Sequence, residues 1–274
     1  MKEDKMLQLN YPWLRVEDTK EVFCCLCGGA NKTQDVFSFT INDKLFVIRY
    51  CEKDSIMFLF PQPGQKYLES LYNHPTYFQG QDDMYGLKVD EKKSEDIAKI
   101  RMEEIKKYKP SATSILEIGC GYGHTLGVAQ KSGFKIVNGL EFSKRAVEIC
   151  QQKGLDVQQM TNNKIAGEFK EGLYDVVAMY SVLEHLSNPL EFANQLETLV
   201  APGGILVIRV PEMSPSGPWL SLLDHLWHFT RQSLGNLVHG TGFEVLDIFS
   251  SGKFFGIQHG DILQNITVVA NPKL

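Results

Sequence analysis

From Ser114 onward, short runs of consecutive apolar residues alternate with longer stretches in which apolar residues recur every three or four positions. The first rhythm is that of strands, the second that of amphipathic helices. The segments are Ile115–Ile118, a helix to Lys131, Ile136–Leu140, Lys144–Lys153, Val157–Met160, Tyr174–Tyr180, Pro189–Val200, Ile205–Val210, Arg231–His239, Phe243–Phe249 and Ile262–Ala270. This alternation predicts an α/β fold with a doubly wound, largely parallel sheet. The last two strands have no helix between them and are joined through Ser250-Ser251-Gly252, so the final one is expected to run antiparallel.

The first part of the chain has a different rhythm. Residues 1–85 carry short β-like runs, Val36–Thr40, Leu45–Tyr50 and Ile56–Phe60, divided by Asn-Asp and Pro-Gln-Pro-Gly turn signals. They predict a small β-rich module. Residues 86–112 form a connection in which Ile97, Ile100, Ile105 and Tyr108 predict an amphipathic helix over Ser94–Tyr108, ended by Pro110. The third part, residues 113–274, is the α/β domain.

Composition narrows the class. With 274 residues, 43% hydrophobic and 22% charged, the chain has the make-up of a soluble globular protein. No apolar run reaches membrane-spanning length, and the charged start Met1-Lys2-Glu3-Asp4-Lys5 lacks the apolar core of a signal peptide, so no membrane partner and a cytoplasmic location are expected. The six cysteines then read as free thiols or metal ligands rather than disulfides. A net charge of −5 offers no general attraction for phosphate backbones, which makes nucleic acid an unlikely partner.

The run Ile115-Leu116-Glu117-Ile118-Gly119-Cys120-Gly121-Tyr122-Gly123-His124-Thr125 leads an apolar strand into a tight glycine turn. Glycine permits positive φ and close approach of backbone amides to a ligand. A dinucleotide fingerprint, G-x-G-x-x-G, would need glycine at His124, whereas the pattern here is E-x-G-x-G-x-G. One βαβ unit later, the strand Ile136-Val137-Asn138-Gly139-Leu140-Glu141 ends in a second acid. These two motifs resemble those of class I S-adenosylmethionine (SAM)-dependent methyltransferases. The resemblance implies a Rossmann-like, mostly parallel seven-stranded sheet with an antiparallel last strand, and SAM as cofactor with S-adenosylhomocysteine as product. It implies further that Glu117 lies near the methionyl ammonium, that Gly119, Gly121 and Gly123 line the cofactor, and that Glu141 accepts the ribose hydroxyls. An acid at Glu141 also suits the start of the following helix near Ser143.

Past the third strand, Val157-Gln158-Gln159-Met160-Thr161 lacks the acid with which relatives often bind the adenine amino group. Gln159 can accept that bond without charge and Met160 can pack on the ring; strand-end packing is the alternative. The segment Tyr174-Asp175-Val176-Val177-Ala178-Met179-Tyr180-Ser181-Val182-Leu183-Glu184-His185-Leu186 resembles the fourth-strand motif of ubiquinone-pathway O-methyltransferases. That places Tyr180 and Ser181 at the methionyl part, with Glu184 and His185 at the acceptor entrance. The block Asp224-His225-Leu226-Trp227-His228-Phe229-Thr230, after the loop Pro211-Glu212-Met213-Ser214-Pro215-Ser216-Gly217-Pro218-Trp219, is similar to a segment of sugar and small-molecule methyltransferases in which the histidine matching His225 is the general base. His225 and His228, with His185, are the candidate catalytic residues, since an imidazole accepts a proton near neutral pH. An aromatic helix face packed on the sheet is the other reading.

No metal is assigned to the acceptor side, where Ser181 replaces the first acid of the E-x-x-E-H motif that small-RNA 3′-end methyltransferases use to hold a divalent ion. Upstream, Cys24-Cys25-Leu26-Cys27-Gly28 followed by Cys51 and Asp54 resembles the N-terminal zinc ribbon of many methyltransferases of this type, with Asp54 in place of the fourth cysteine. A structural zinc and a metal-free relic both fit that pattern. The stretch Phe60-Pro61-Gln62-Pro63 with Tyr67, Tyr72, Tyr77 and Phe78 resembles the family's linker, which folds over the acceptor mouth; these aromatics fill either a pocket or a core. The expected function is methyl transfer from SAM to a small-molecule acceptor, at a hydroxyl. The rival expectations are a catalytically silent SAM-binding scaffold and an RNA or protein methyltransferase.

Overall fold

The structure is a computed structural model that describes residues 16–29, 32–41, 43–73, 91–160, 165, 174–213, 223–255 and 262–273, of which 251–255 and 262–264 are described by backbone only. Tyr77, Phe78 and the loop from Ser214 to Trp219 lie outside the described residues.

The N-terminal part contains β1 (Thr19–Lys20), β2 (Thr33–Ile41), β3 (Lys44–Cys51), β4 (Ile56–Phe60), β5 (Gln62–Pro63) and helix α1 (Gln65–Asn73). Strands β2 to β4 form an antiparallel meander, and β1 pairs with β5. Helix α2 (Glu91–Tyr108) leads to the α/β part: β6 (Ser114–Ile118), α3 (His124–Lys131), β7 (Ile136–Glu141), α4 (Lys144–Gln152), β8 (Asp156–Gln159), β9 (Tyr174–Tyr180), α5 (Pro189–Gln195), β10 (Val200–Pro211), β11 (Trp227–His228), α6 (Arg231–His239), β12 (Phe243–Phe255) and β13 (Ile262–Pro272).

The large sheet has seven strands in the order β12-β13-β10-β9-β6-β7-β8. Its inner pairs are parallel, and β13 runs antiparallel between β10 and β12, as expected. A strand that returns directly from its neighbour can pair only antiparallel, because a parallel return needs a crossover. The central strands bury every residue of β6 and nearly every residue of β9, so they carry no alternation of polar and apolar positions.

Three expectations are corrected. Ser250-Ser251-Gly252 does not turn the chain: β12 runs through it to Phe255, and the ladder only shifts register between Ser251 and Lys253. A bulge absorbs small polar residues that read as a turn. The fifth strand of the α/β part begins at Val200, not Ile205, because Pro202-Gly203-Gly204 is taken up as an irregularity in its pairing with β9, with Gly203 at φ +71°. Helix α2 starts at Glu91 and buries Ala98, Met102 and Ile105, while Ile97 and Ile100 are exposed. That stripe has i, i+4, i+7 spacing and relies on alanine and methionine, which give a weaker apolar signal than isoleucine.

The N-terminal module is not closed on itself. β11, from the far end of the α/β part, adds a fourth strand to the meander, giving the order β11-β4-β3-β2. Phe46, Ile48, Phe58 and Leu59 are fully buried in the same core as Leu226, Trp227 and Phe229. The segment that carries His225 and His228 is therefore wedged between the two parts.

Candidate active site

The site forms at the carboxyl ends of β6, β7 and β9, where an open parallel sheet leaves a crevice. Its floor is the glycine turn. Gly119, Gly121 and Gly123 all have positive φ, at 70°, 52° and 75°. A Cβ on Gly119 would lie 2.2 Å from Cγ2 of Val182, and one on Gly123 2.4 Å from Cδ1 of Leu155. Side chains are excluded by both conformation and space.

Glu141, at the end of β7, is buried, and each carboxylate oxygen is held by a backbone amide: Oε2 accepts from Gly121 at 2.8 Å and Oε1 from Ser143 at 2.9 Å. The helix-capping role belongs to Ser143, whose side chain accepts from Ala146 at the start of α4. Burial raises the Glu141 carboxyl above its ordinary range against the lowering by those amides. A carboxylate offers about four lone-pair sites, so two fixed bonds leave capacity for a diol. At the end of β8, Gln159 is exposed and donates to the carbonyl of Phe142 at 3.2 Å, which leaves its side-chain oxygen available; Met160 is in the core.

Glu117 faces the other wall. It is buried against Arg101 of α2, whose Nη1 lies 3.6 Å from Glu117 Oε1 and donates to Thr125 Oγ1 at 2.9 Å. Burial raises the Glu117 carboxyl to about 7 even though Arg101 pulls it down. The Arg101 guanidinium lies 4.0 Å from the centre of the Tyr180 ring, with Arg209 at 5.2 Å on the same ring. Glu117 Oε2, Arg101 Nε and the Tyr180 hydroxyl are buried with no hydrogen-bond partner among the described residues. Buried polar groups of this kind are normally satisfied, so a polar ligand end fits here. Arg101 escaped the sequence reading because a basic residue in a charged helix carries no sign that it faces inward.

Ser181 follows β9 with φ 56°, a sparsely populated conformation for a residue with a Cβ, and its amide donates to Arg209 O at 2.9 Å. The chain then makes a single turn over Leu183–His185. The segment 224–226 is clipped to that turn twice: His185 Nδ1 bonds the carbonyl of Asp224 at 2.7 Å, and the Leu226 amide donates to the carbonyl of Glu184 at 2.8 Å. As a result the rings of His185 and His225 meet edge to face at 4.7 Å, with His228 6.4 Å beyond His225. All three candidate histidines thus come together. Burial lowers the His225 imidazole to about 3 and that of His228 to about 4, so both are neutral. Burial raises the Glu184 carboxyl to about 7. Tyr72 of α1 packs its ring against His185 and Phe142, both at 6.1 Å, and brings the N-terminal part onto the histidine group, whereas Tyr67 is a core residue.

The cysteine motif closes on itself in space. Cys24, Cys27, Cys51 and Asp54 present ligand atoms that all lie within 4.8 Å of one another. Asp54 Oδ2 accepts from the Cys24 thiol at 3.1 Å and from Cys51 at 3.3 Å, and the sulfurs of Cys27 and Cys51 are 3.8 Å apart. Three soft donors and one carboxylate in a compact group suit tetrahedral zinc.

A seven-stranded sheet of this order, with a glycine turn and two buried acids at its carboxyl edge, defines a class I SAM-dependent methyltransferase. The chain belongs to the family described as "Methyltransferase domain", whose sequence profile matches residues 89–248. Among curated relatives, it is 33% identical over 104 residues to the 2-methyl-6-phytyl-1,4-hydroquinone methyltransferase of Synechocystis, covering 36% of this chain and 32% of that protein. It is 26% identical over 132 residues to the ubiquinone biosynthesis O-methyltransferase of Albidiferax ferrireducens, covering 45% and 52%. The matched regions thus span between about a third and a half of those relatives. The fold is shared with the plantazolicin methyltransferase BpumL, solved with S-adenosylhomocysteine (TM-score 0.56, 15% identity, 75% of this chain and 94% of that one). It is shared equally with a SAM-dependent methyltransferase of Thermotoga maritima titled a possible histamine N-methyltransferase (TM-score 0.55, 16% identity, 75% and 100%).

Proposed function

We propose that this protein transfers the methyl group of SAM to a hydroxyl of a small-molecule acceptor, with a histidine of the 185/225/228 group taking the hydroxyl proton. The observation that carries the reading is the meeting of His185, His225 and His228 beside the turn that follows Ser181. In the expected reaction the acceptor proton passes to an imidazole nitrogen, the oxygen lone pair forms a bond to the methyl carbon, and the carbon–sulfur pair stays on sulfur as S-adenosylhomocysteine leaves. Neutral imidazoles are the form that can accept a proton, but the burial that keeps His225 and His228 neutral also weakens them as bases, so the transfer requires the imidazolium to be stabilised as it forms. Glu184, whose carboxyl oxygen shares the group with a nitrogen of His185 and of His225, suits the stabilisation of the resulting imidazolium.

In this reading Glu117, Gly119, Gly121, Gly123, Glu141, Gln159, Tyr180 and Ser181 hold the cofactor, and Arg101 joins them at the methionyl end, where a guanidinium suits the carboxylate of SAM. A small acceptor fits the net charge of −5, and the named relatives are a 2-methyl-6-phytyl-1,4-hydroquinone methyltransferase and an O-methyltransferase of ubiquinone biosynthesis. Among the described residues no helix is long and apolar enough to cross a membrane.

Calorimetry with SAM, S-adenosylhomocysteine and NADH as control tests the cofactor, and transfer of labelled methyl to a panel of sugars, polyketides and hydroquinones tests the acceptor. Expected are binding of the two adenosyl ligands alone and transfer that falls at least a hundredfold in His225→Ala or His228→Ala with SAM binding kept. SAM binding without transfer to any acceptor would favour the silent scaffold, and unchanged turnover in both variants together with His185→Ala would remove the histidine base.

A further inference from the structure

Glu184 is the most isolated charge of the site. It is 1% exposed, and neither carboxylate oxygen has a hydrogen-bond partner among the described residues. A carboxylate is normally buried only with a partner or on a metal ion. Around it, one ligand atom each from Glu184, His185 and His225 lies within 4.8 Å of the others, and the closest approach of His185 Nε2 to Glu184 Oε1 is 4.0 Å. No hydrogen bond links the three side chains, although the rings of His185 and His225 pack edge to face, which leaves both oxygens of Glu184 without a donor.

We propose that Glu184, His185 and His225 hold a divalent first-row cation of the zinc, manganese or ferrous type, which receives the acceptor's hydroxyl oxygen in an open coordination position. Three ligand atoms within 4.8 Å of one another can each lie within about 2.8 Å of a common centre, so each moves by at most about 0.7 Å to reach a bond of about 2.1 Å. The second shell is already in place. His185 Nδ1 bonds the Asp224 carbonyl at 2.7 Å, which makes Nδ1 the protonated nitrogen and presents the Nε2 lone pair to the site. Metal-bound histidines are oriented in this way. Two imidazoles and one carboxylate favour these cations over magnesium, which prefers oxygen, and three protein ligands leave positions open for water or substrate. The second metal-ligating group, at Cys24, Cys27, Cys51 and Asp54, shares none of these residues.

Binding of the acceptor oxygen to the cation rests on the proposed hydroxyl methylation; occupation of the site by a cation does not. With His185 and His225 as ligands, His228 is the histidine of the group left to act as base. A bound cation would withdraw electron density from the hydroxyl, so that its proton passes more readily to His228 before oxygen attacks the methyl carbon and the carbon–sulfur pair goes to sulfur.

The test is titration of the chelator-stripped full chain with Mn2+, followed by electron paramagnetic resonance, and with Co2+, followed by absorption. Manganese prefers oxygen and nitrogen to thiolate, and cobalt on imidazole and carboxylate gives weak d–d bands without thiolate charge-transfer absorption, so neither signal is confused with the cysteine group. The expected result is one such site in the wild type, weakened at least tenfold in the isosteric Glu184→Gln and in His225→Ala, with SAM binding retained in both as proof of folding. No such site in the wild type, or unchanged affinity in both variants, would overturn the proposal. Cation binding without methyl transfer to any hydroxyl would sink the functional reading and leave the site standing. Methyl transfer undiminished after stripping would remove the acceptor-binding role and leave the functional reading intact.

Discussion

At the scale of single residues, stereochemistry and burial set the glycine turn and the buried acids beside it, where the cofactor is proposed to bind. Gly119 combines φ +70° with a Cβ position 2.2 Å from Val182. Gly119→Ala therefore meets a left-handed penalty and overpacking together, on the order of 2–5 kcal/mol. A lower melting temperature with SAM binding lost from calorimetry is the expected outcome. Glu117 gives a pH dependence. Its carboxyl is raised to about 7, above the ordinary range of the unfolded chain, so the folded state holds the extra proton as pH rises towards 7 and its stability falls across that interval. A cationic ammonium prefers the carboxylate, so SAM binding must expel that proton below pH 7. SAM affinity should rise with pH between about 5.5 and 7, by at most about tenfold per unit, and Glu117→Gln should flatten the profile. Arg101 and Thr125 lower this titration and Glu141 raises it. Glu141 is itself raised by burial, so it adds a slope of the same sign, and the Glu117→Gln profile keeps that smaller part.

At the scale of elements, two residues of β11 connect sheet to site. Trp227 packs its ring 5.6 Å from Phe58 and donates its indole N–H to the Leu186 carbonyl at 2.7 Å. Trp227→Ala removes a buried aromatic and leaves that carbonyl unpaired, an expected loss of about 3–5 kcal/mol by chemical denaturation. Helix α1 offers a milder probe, because Tyr72 lies against His185 and Phe142 rather than in the main core. Tyr72→Ala should raise KM for the acceptor several-fold while the affinity for SAM changes little, and an equal loss of both would show that α1 supports the whole crevice instead.

At the scale of the molecule, the cysteine group, the meander and the three clustered histidines form one mechanical chain. Cys51 ends β3, Asp54 and Ser55 lead into β4, and β4 pairs with the strand that contains His228. Thr230 also bonds the Ser55 carbonyl at 2.9 Å and caps α6. If zinc occupies the cysteine group, as its donors suit, metal analysis will find it, and its removal by a strong chelator should lower the melting temperature by several degrees and depress turnover more than SAM binding. Protein that contains no zinc and is indifferent to chelation would identify a metal-free module.

The sequence by itself determined the class of fold, the glycine turn and the two acids at the strand ends, because these depend on local matters: strand and helix periodicity, glycine's freedom at positive φ, and residues adjacent to a strand end. It also marked the histidines and the cysteine group by spacing. Only the tertiary structure decided which of these meet. Arg101 lies sixteen positions before Glu117 on a helix whose inward stripe is built on alanine and methionine, and only packing turned it towards the sheet. Likewise His185 and His225, forty positions apart, became neighbours through two backbone-directed hydrogen bonds, which no side-chain pattern along the chain records. The pairing of β11 with β4 belongs to the same category: a two-residue strand has no periodicity to read, and its place is set by the partner it completes.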